Sequence, residues 1–191
     1  MDPLLIDVPE EIETERLILR IPRRGEAAAV NAAVAESFAE LHTWMPWAQS
    51  MPTIDGTEAY SIQASARFRL REDLPYRAWL KGTDTLVACS GLHRIDWSVP
   101  RFEIGYWCRT SMVGRGFVTE VVRALTAIAF ERLNACRIEI RMGDRNDRSR
   151  RVAERCGFAL EGTLHCDSRS PDGSLRNTCV YAIVHSDDTA A

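Results

Sequence analysis

The chain has no surplus of positive charge: 24 lysines and arginines face 27 aspartates and glutamates, giving a net charge of −3 and a pI near 5.8. That excludes the basic field with which proteins hold nucleic acid, so no direct nucleic-acid partner is expected. Lys81 is the only lysine; the other cations are arginines, a bias from which no function follows. The six cysteines, at 89, 108, 136, 156, 166 and 179, never form a C-x-x-C pair. Neither a disulfide framework nor a metal site is expected from that spacing, and the thiols read as buried, reduced and packed like small apolar side chains. Reduced thiols fit the cytoplasm. The first residues, Met1-Asp-Pro-Leu-Leu-Ile-Asp7, lack the basic region and apolar run of a signal peptide, and no stretch approaches the length of a membrane span. A cytoplasmic protein without membrane contact is expected. There is no internal repeat, low-complexity tract or inter-domain linker, and 191 residues suffice for one core, so a single domain over 1–191 is expected.

What is present is a glycine turn between a strand and a helix. Ser111-Met-Val-Gly-Arg-Gly-Phe-Val-Thr-Glu120 follows the apolar stretch Phe102-Glu-Ile-Gly-Tyr-Trp-Cys108 and precedes an amphipathic helix over 118–133. Glycines let a backbone curl so that several N–H groups converge. The helix adds its own free N–H groups and the positive end of its dipole. Such a turn either seats a phosphate or simply permits a tight strand-to-helix connection. The P-loop is excluded because Phe117-Val118, not Lys-Ser/Thr, follows the last glycine. The dinucleotide fingerprint is excluded because Thr119 stands where its third glycine belongs.

Around this turn the pattern predicts a strand over 16–21, a helix over 26–40 and an aromatic, proline-interrupted loop over 41–52. A second helix follows over 57–71, capped by Asp55 or Thr57. Strands are predicted over 76–80, 85–94 and 101–109, with turns at Gly82 and 96–100. Val118, Val121, Val122, Leu125 and Ala129 keep helical spacing. A strictly alternating strand over 137–142 completes a right-handed crossover between parallel strands. A short helix over 146–156, capped by Asn146 and stopped by Gly157, leads to strands over 158–164 and 179–185 around a polar loop, 167–175. The fold class is α+β: a mixed sheet with helices on both faces.

Together with Glu103-Ile-Gly-Tyr-Trp107 ahead of the turn, and Asn146-x-x-Ser149, Cys156-Gly-Phe158 and Glu161-Gly162 after it, the chain resembles the GNAT acyl-CoA N-acyltransferases. More narrowly it resembles their RimJ/RimL branch, which acetylates protein N-termini, including those of ribosomal proteins. The likeness runs from Glu13-Thr-Glu-Arg-Leu-Ile-Leu-Arg20 to Tyr181. It implies the GNAT fold, with two central parallel strands that splay apart, and acetyl-CoA as acyl donor with no metal. The pyrophosphate would lie on the main chain of Val113, Gly114, Arg115, Gly116, Phe117, Val118 and Thr119. The pantetheine arm would pair with the strand near Trp107, Cys108 and Arg109, and with Asn146, which also reads as a plain helix cap. Ser111 stands where the family's loop usually opens with Gln or Arg, so one side-chain contact is missing. The resemblance also implies a homodimer.

Amide formation from an amine and a thioester needs a base for the amine, a donor for the tetrahedral oxyanion and a proton for the sulfur. Glu103 is the first candidate base, since some GNAT enzymes carry a glutamate on this strand; its alternative is an ion pair with Arg94 or Arg101. Asp167 is the second, because RimL-type enzymes have an acidic residue in this loop, where Ser168 competes for the equivalent position. Many GNAT enzymes use a tyrosine acid at the position that reads Ala153 here. Ser149 matches a serine proposed for that task in the RimL branch, and otherwise is an ordinary first-turn serine. The oxyanion would meet N–H groups near Trp107 or Cys108.

Trp44, Met45 and Trp47 lie in the segment that in this family borders the acceptor cleft; they read equally as a hydrophobic plug. His42 and His93 read as ordinary surface or turn residues. The expected activity is acetylation of a primary amine, foremost a protein or peptide α-amino group. The alternatives are a small-molecule amine acceptor and a non-catalytic coenzyme A binder.

Overall fold

In the computed structural model, which describes residues 2–170 and 173–185, one eight-stranded sheet carries five helices. Strands β1 (Glu11–Glu13) and β2 (Leu17–Arg20) are followed by helices α1 (Ala27–Glu36), α2 (Phe38–Trp44) and α3 (Ile54–Arg69). Strands β3 (Leu74–Leu80), β4 (Leu86–Asp96) and β5 (Arg101–Cys108) then lead to α4 (Phe117–Leu133), β6 (Arg137–Gly143), α5 (Asp147–Arg155), β7 (Ala159–Arg169) and β8 (Leu175–Val184). The spatial order is β1-β2-β3-β4-β5-β6-β8-β7, antiparallel except for the β5–β6 pair.

Side-chain periodicity sorts the two faces. On α4, Val121, Val122, Leu125, Ala129 and Leu133 are buried together with Phe102, Ile104, Ile138 and Ile140 of the sheet. On the other face α1 and α2 cover Trp79, Cys89 and Trp107. There a buried ion pair ties helices to sheet: Arg77 meets Glu26 at 2.7 Å and donates to Ser61 Oγ at 2.7 Å. α4 ends at Asn134 in the left-handed region, φ 51°. Among the described residues no helix is long and apolar enough to cross a membrane. Nor do three His, Cys, Asp or Glu side chains gather there as a metal site would require.

Several expected boundaries are corrected. The helix expected over 26–40 breaks at Ser37, φ −103° and ψ 7°, whose hydroxyl instead accepts the Thr110 amide at 3.0 Å. α2 then runs to Trp44, so the expected aromatic loop begins as helix. Thr53, not Asp55 or Thr57, caps α3 by accepting the Gly56 amide. β1 was not foreseen, being three residues long and too short to show alternation. Strand extends into both ends of the expected polar loop, β7 to Arg169 and β8 from Leu175, because register shifts between Leu164 and Ser168 and a left-handed Cys166 (φ 51°) hide the period of two. Pro171 and Asp172 of that expected loop lie outside the described residues. All six cysteines are free, but of the thiols expected to be buried only Cys179 is; Cys89, Cys108, Cys136 and Cys156 are half-buried and Cys166 is exposed.

Candidate active site

β5 and β6 are bound to each other only at Arg101↔Arg137, Phe102↔Ile138 and Glu103↔Glu139. Beyond Glu103 they part. β4 still holds β5 as far as Ala88↔Cys108, and β8 holds β6 as far as Gly143↔Thr178, so each side of the gap stays braced. A cleft of about 860 Å³ runs through the opening. The Arg109 amide donates to the Val87 carbonyl at 2.9 Å. Strand alternation therefore turns the main chain of Tyr106 and Cys108 into the gap, and that of Trp107 and Arg109 toward β4. Of the stretch expected to pair with a pantetheine arm, Cys108 alone turns its backbone into the gap; Trp107 lines the cleft while its main chain faces β4.

The turn after β5 has the conformation its glycines predict. Gly114 and Gly116 take φ 81° and 80°, left-handed values that cost L-residues about 1–2 kcal/mol. The first hydrogen bond of α4 joins the Glu120 amide to the Gly116 carbonyl, which leaves the amides of Phe117, Val118 and Thr119 without helical partners at the positive end of the dipole. Val113, Gly114 and Gly116 through Thr119 line the cleft, whereas the Arg115 side chain does not. The turn is clamped from two sides. Glu36 accepts from the Ser111 amide at 2.7 Å and from Arg109 Nε at 2.6 Å. Hydrogen bonding from Ser111, then from Arg109, holds the Glu36 carboxyl down at about 2. Arg16 donates to the Arg115 carbonyl at 2.9 Å from the other side. Arg109 thus belongs to the clamp rather than to the cleft wall.

α5 supplies the opposite wall. Asn146 Oδ1 accepts the Ser149 amide at 3.1 Å, so the side chain caps the helix and its Nδ2 is left over for the cleft it lines. Ser149 Oγ lies 2.8 Å from the Tyr106 hydroxyl. Burial pushes the Tyr106 phenol up to about 12, against the pull of Ser149. Ala153 is fully buried in the core and brings no hydroxyl. Arg148, Arg151 and Arg155 also line the cleft. Their spacing along α5 was visible in the sequence as one helical face, but it was not read as a site.

Glu103 sits where the strands part, lining the cleft and 17 % exposed. Its Oε2 is 3.3 Å from Arg94 Nε, yet misaligned, and has no hydrogen-bond partner. Burial raises its carboxyl above the usual range, although Arg94 and Arg141 pull it back. Arg94 reaches it from a bulge in β4 with φ 47°. Asp167 also lines the cleft, but in a different state: hydrogen bonding from Thr178, then from Arg141 at 3.1 Å, holds it below the usual carboxylate range. Ser168 lines the cleft beside it and accepts from Arg176 Nε at 2.8 Å.

On the acceptor side, Trp44 lies against Gly143 of β6 and its carbonyl accepts from Arg176 at 3.5 Å. The end of α2 thereby reaches across to the β6 half. Trp47 stays outside the lining, half exposed and tilted over Trp107 with ring centroids 6.4 Å apart. His93 is more than a turn residue. Its Nδ1 is 2.6 Å from Asp73, and its ring lies over Gly91 and Gly105, which leave room for it. His42 Nδ1 is held by the Ala48 carbonyl. Free amides, an unpaired strand edge and three arginines suit an elongated ligand with phosphates at one end.

Comparison with known proteins agrees. A family model described as the acetyltransferase (GNAT) domain matches residues 16–159. The chain is 28% identical over 170 residues to "Putative ribosomal N-acetyltransferase YdaF" of Bacillus subtilis (strain 168), covering 89% of this chain and 92% of that one. Among solved structures, the ribosomal L7/L12 α-N-protein acetyltransferase RimL in complex with coenzyme A superposes with a TM-score of 0.85 at 22% identity, covering 92% and 98%. The microcin C7 self-immunity acetyltransferase MccE, in complex with acetyl-CoA and AMP, gives 0.84 at 21% identity, covering 93% and 98%. The chain belongs to the GNAT acetyltransferase family, whose members transfer an acetyl group from acetyl-CoA to an amine.

Proposed function

We propose that the chain acetylates the α-amino group of a protein or peptide in the cytoplasm, with Glu103 as general base. The observation that carries this reading is the state of Glu103: half-buried, raised in basicity and without a hydrogen bond at its buried Oε2, on the cleft wall where β5 leaves β6. An α-amino group has a pKa of about 8 against about 10.4 for lysine, so a carboxylate of modestly raised pKa suits the former better. Asp167 is the poorer base, since its partners favour the ion. The likeness to a ribosomal N-acetyltransferase and to RimL supports the choice of acceptor.

In this reading the amides of residues 114–119 and the arginines of α5 hold the donor's phosphates, and Asn146 Nδ2 holds its arm; the Val113 amide is already taken by the Thr110 carbonyl at 3.2 Å. Cys108 N–H meets the developing oxyanion. Ser149 faces the sulfur, and Trp44 borders the amine. Incubation with acetyl-CoA and a panel of peptides, polyamines and aminoglycosides, followed by thiol release and product mass, tests it. Turnover on peptides that falls roughly 10²- to 10⁴-fold in Glu103→Gln is expected. Turnover on small amines alone would replace the acceptor, and a Glu103→Gln enzyme of undiminished rate would remove the base.

A further inference from the structure

The position that carries a hydroxyl acid in many related enzymes is the core residue Ala153, so Ser149 is left as the hydroxyl on that wall. A helical serine can turn its proton back to an earlier carbonyl of its own helix, here that of the cap residue Asn146 three positions before, where it is lost to the cleft. Here the one proton of the Tyr106 hydroxyl has two acceptors on the same residue, Ser149 Oγ at 2.8 Å and, farther off, the Ser149 carbonyl at 3.2 Å. Both residues line the cleft, Tyr106 from β5 and Ser149 from α5, so the contact spans the gap.

We propose that Tyr106 is a positioning residue: its phenol donates to Ser149 Oγ, which turns the serine proton into the cleft as a donor for the sulfur that leaves the acetyl group. The inference rests on the reading that this gap holds the acyl donor, and it is independent of which amine is acetylated. Tyr106 is protonated through the neutral range as any tyrosine is, and burial pushes its phenol further up, so it acts as a fixed donor and not as the acid. Ser149 keeps its proton too. As the carbon–sulfur bond breaks, its electron pair stays on sulfur, and the proton that nitrogen sheds balances the charge. Two hydrogen bonds in series polarise one another, so the terminal donor is stronger than a lone serine.

The test uses coenzyme A itself as probe, titrated into wild type, Tyr106→Phe, Ser149→Ala and the double variant. Calorimetry reports binding, and the difference ultraviolet absorbance of the complex reports the thiol pKa of bound coenzyme A. Wild type is expected to lower that thiol pKa. Tyr106→Phe and Ser149→Ala are each expected to return it toward the free value and to cut kcat about tenfold with little change in KM for acetyl-CoA, the double variant losing no more. Coenzyme A that binds Tyr106→Phe with the wild-type thiol pKa and supports the wild-type kcat would overturn the proposal alone. No binding by folded wild type would remove the donor site as well. Should Tyr106→Phe fail to fold, an unshifted thiol in Ser149→Ala overturns it equally.

Discussion

Arg16 and Glu120 are 104 residues apart and joined twice: the Arg16 amide donates to Oε1 at 2.9 Å, and its Nε donates to Oε2 at 2.7 Å. The same guanidinium reaches the Arg115 carbonyl and lies over the Phe117 ring, 4.4 Å from its centroid. The start of β2 thus holds the glycine turn and the first turn of α4 in register. Burial raises the Glu120 carboxyl, but hydrogen bonds from Thr14 and Arg16 outweigh it and leave the pKa lowered. The brace is therefore complete above the ordinary carboxylate pKa and is lost as pH falls through the lower folded value. Glu120→Gln is expected to raise KM for acetyl-CoA about tenfold and to leave kcat within about twofold, in steady-state kinetics at neutral pH.

Glu103 gives a prediction of opposite sign. Its folded pKa is raised, so the base is lost on the acid side at a higher pH than an ordinary glutamate would allow. The pH profile of kcat/KM should show an acid limb above the usual glutamate range, and Arg94→Met, which removes the nearby cation, should move that limb further up. A profile unmoved in Arg94→Met would detach the limb from Glu103.

Glu26 and Arg77 are both nearly buried and pair at 2.7 Å, with Arg20 Nε on the second Glu26 oxygen. Removing one partner leaves an uncompensated charge beneath α1 and α3. Glu26→Ala is expected to lose about 3–5 kcal/mol of stability by denaturant melt. Replacing the pair together should cost less than the sum of the single changes.

Gly91 sits across from Gly105, and a Cβ at 91 would come 2.7 Å from the Leu74 carbonyl and 2.8 Å from the His93 ring. The carbonyl belongs to a paired strand and cannot swing away. Gly91→Ala is expected to destabilise by about 1–3 kcal/mol in thermal or denaturant unfolding.

The path from sequence to site was uneven, for physical reasons. The strand–turn–helix around Gly114 and Gly116 was legible because left-handed backbone and helical periodicity both write themselves into residue type. Asn146 was legible as a cap and proved to be one. Glu103 and Trp107 share a face because strands alternate. Long-range partners were not legible. Nothing local tells that Arg16 brackets Arg115, that Glu36 holds Ser111, or that Tyr106 meets Ser149 across the gap. The break at Ser37 was hidden because alanine-rich sequence favours continuous helix, and the turn that interrupts it is satisfied by Thr110 from elsewhere. The outer half of the β7–β8 hairpin, beyond Leu164 and before Cys179, was not legible because its bulge removes the alternation by which a strand is recognised.

The central claim is that the turn over 113–119 and the free edge of β5 together grip the acyl donor. Amide hydrogen exchange with and without coenzyme A tests it most directly. The account predicts slowed exchange at the first amides of α4, Phe117 to Thr119, and at Tyr106 and Cys108, with the amides of Trp107 and Arg109 unchanged. Binding that protects neither the turn nor those two strand amides would contradict it.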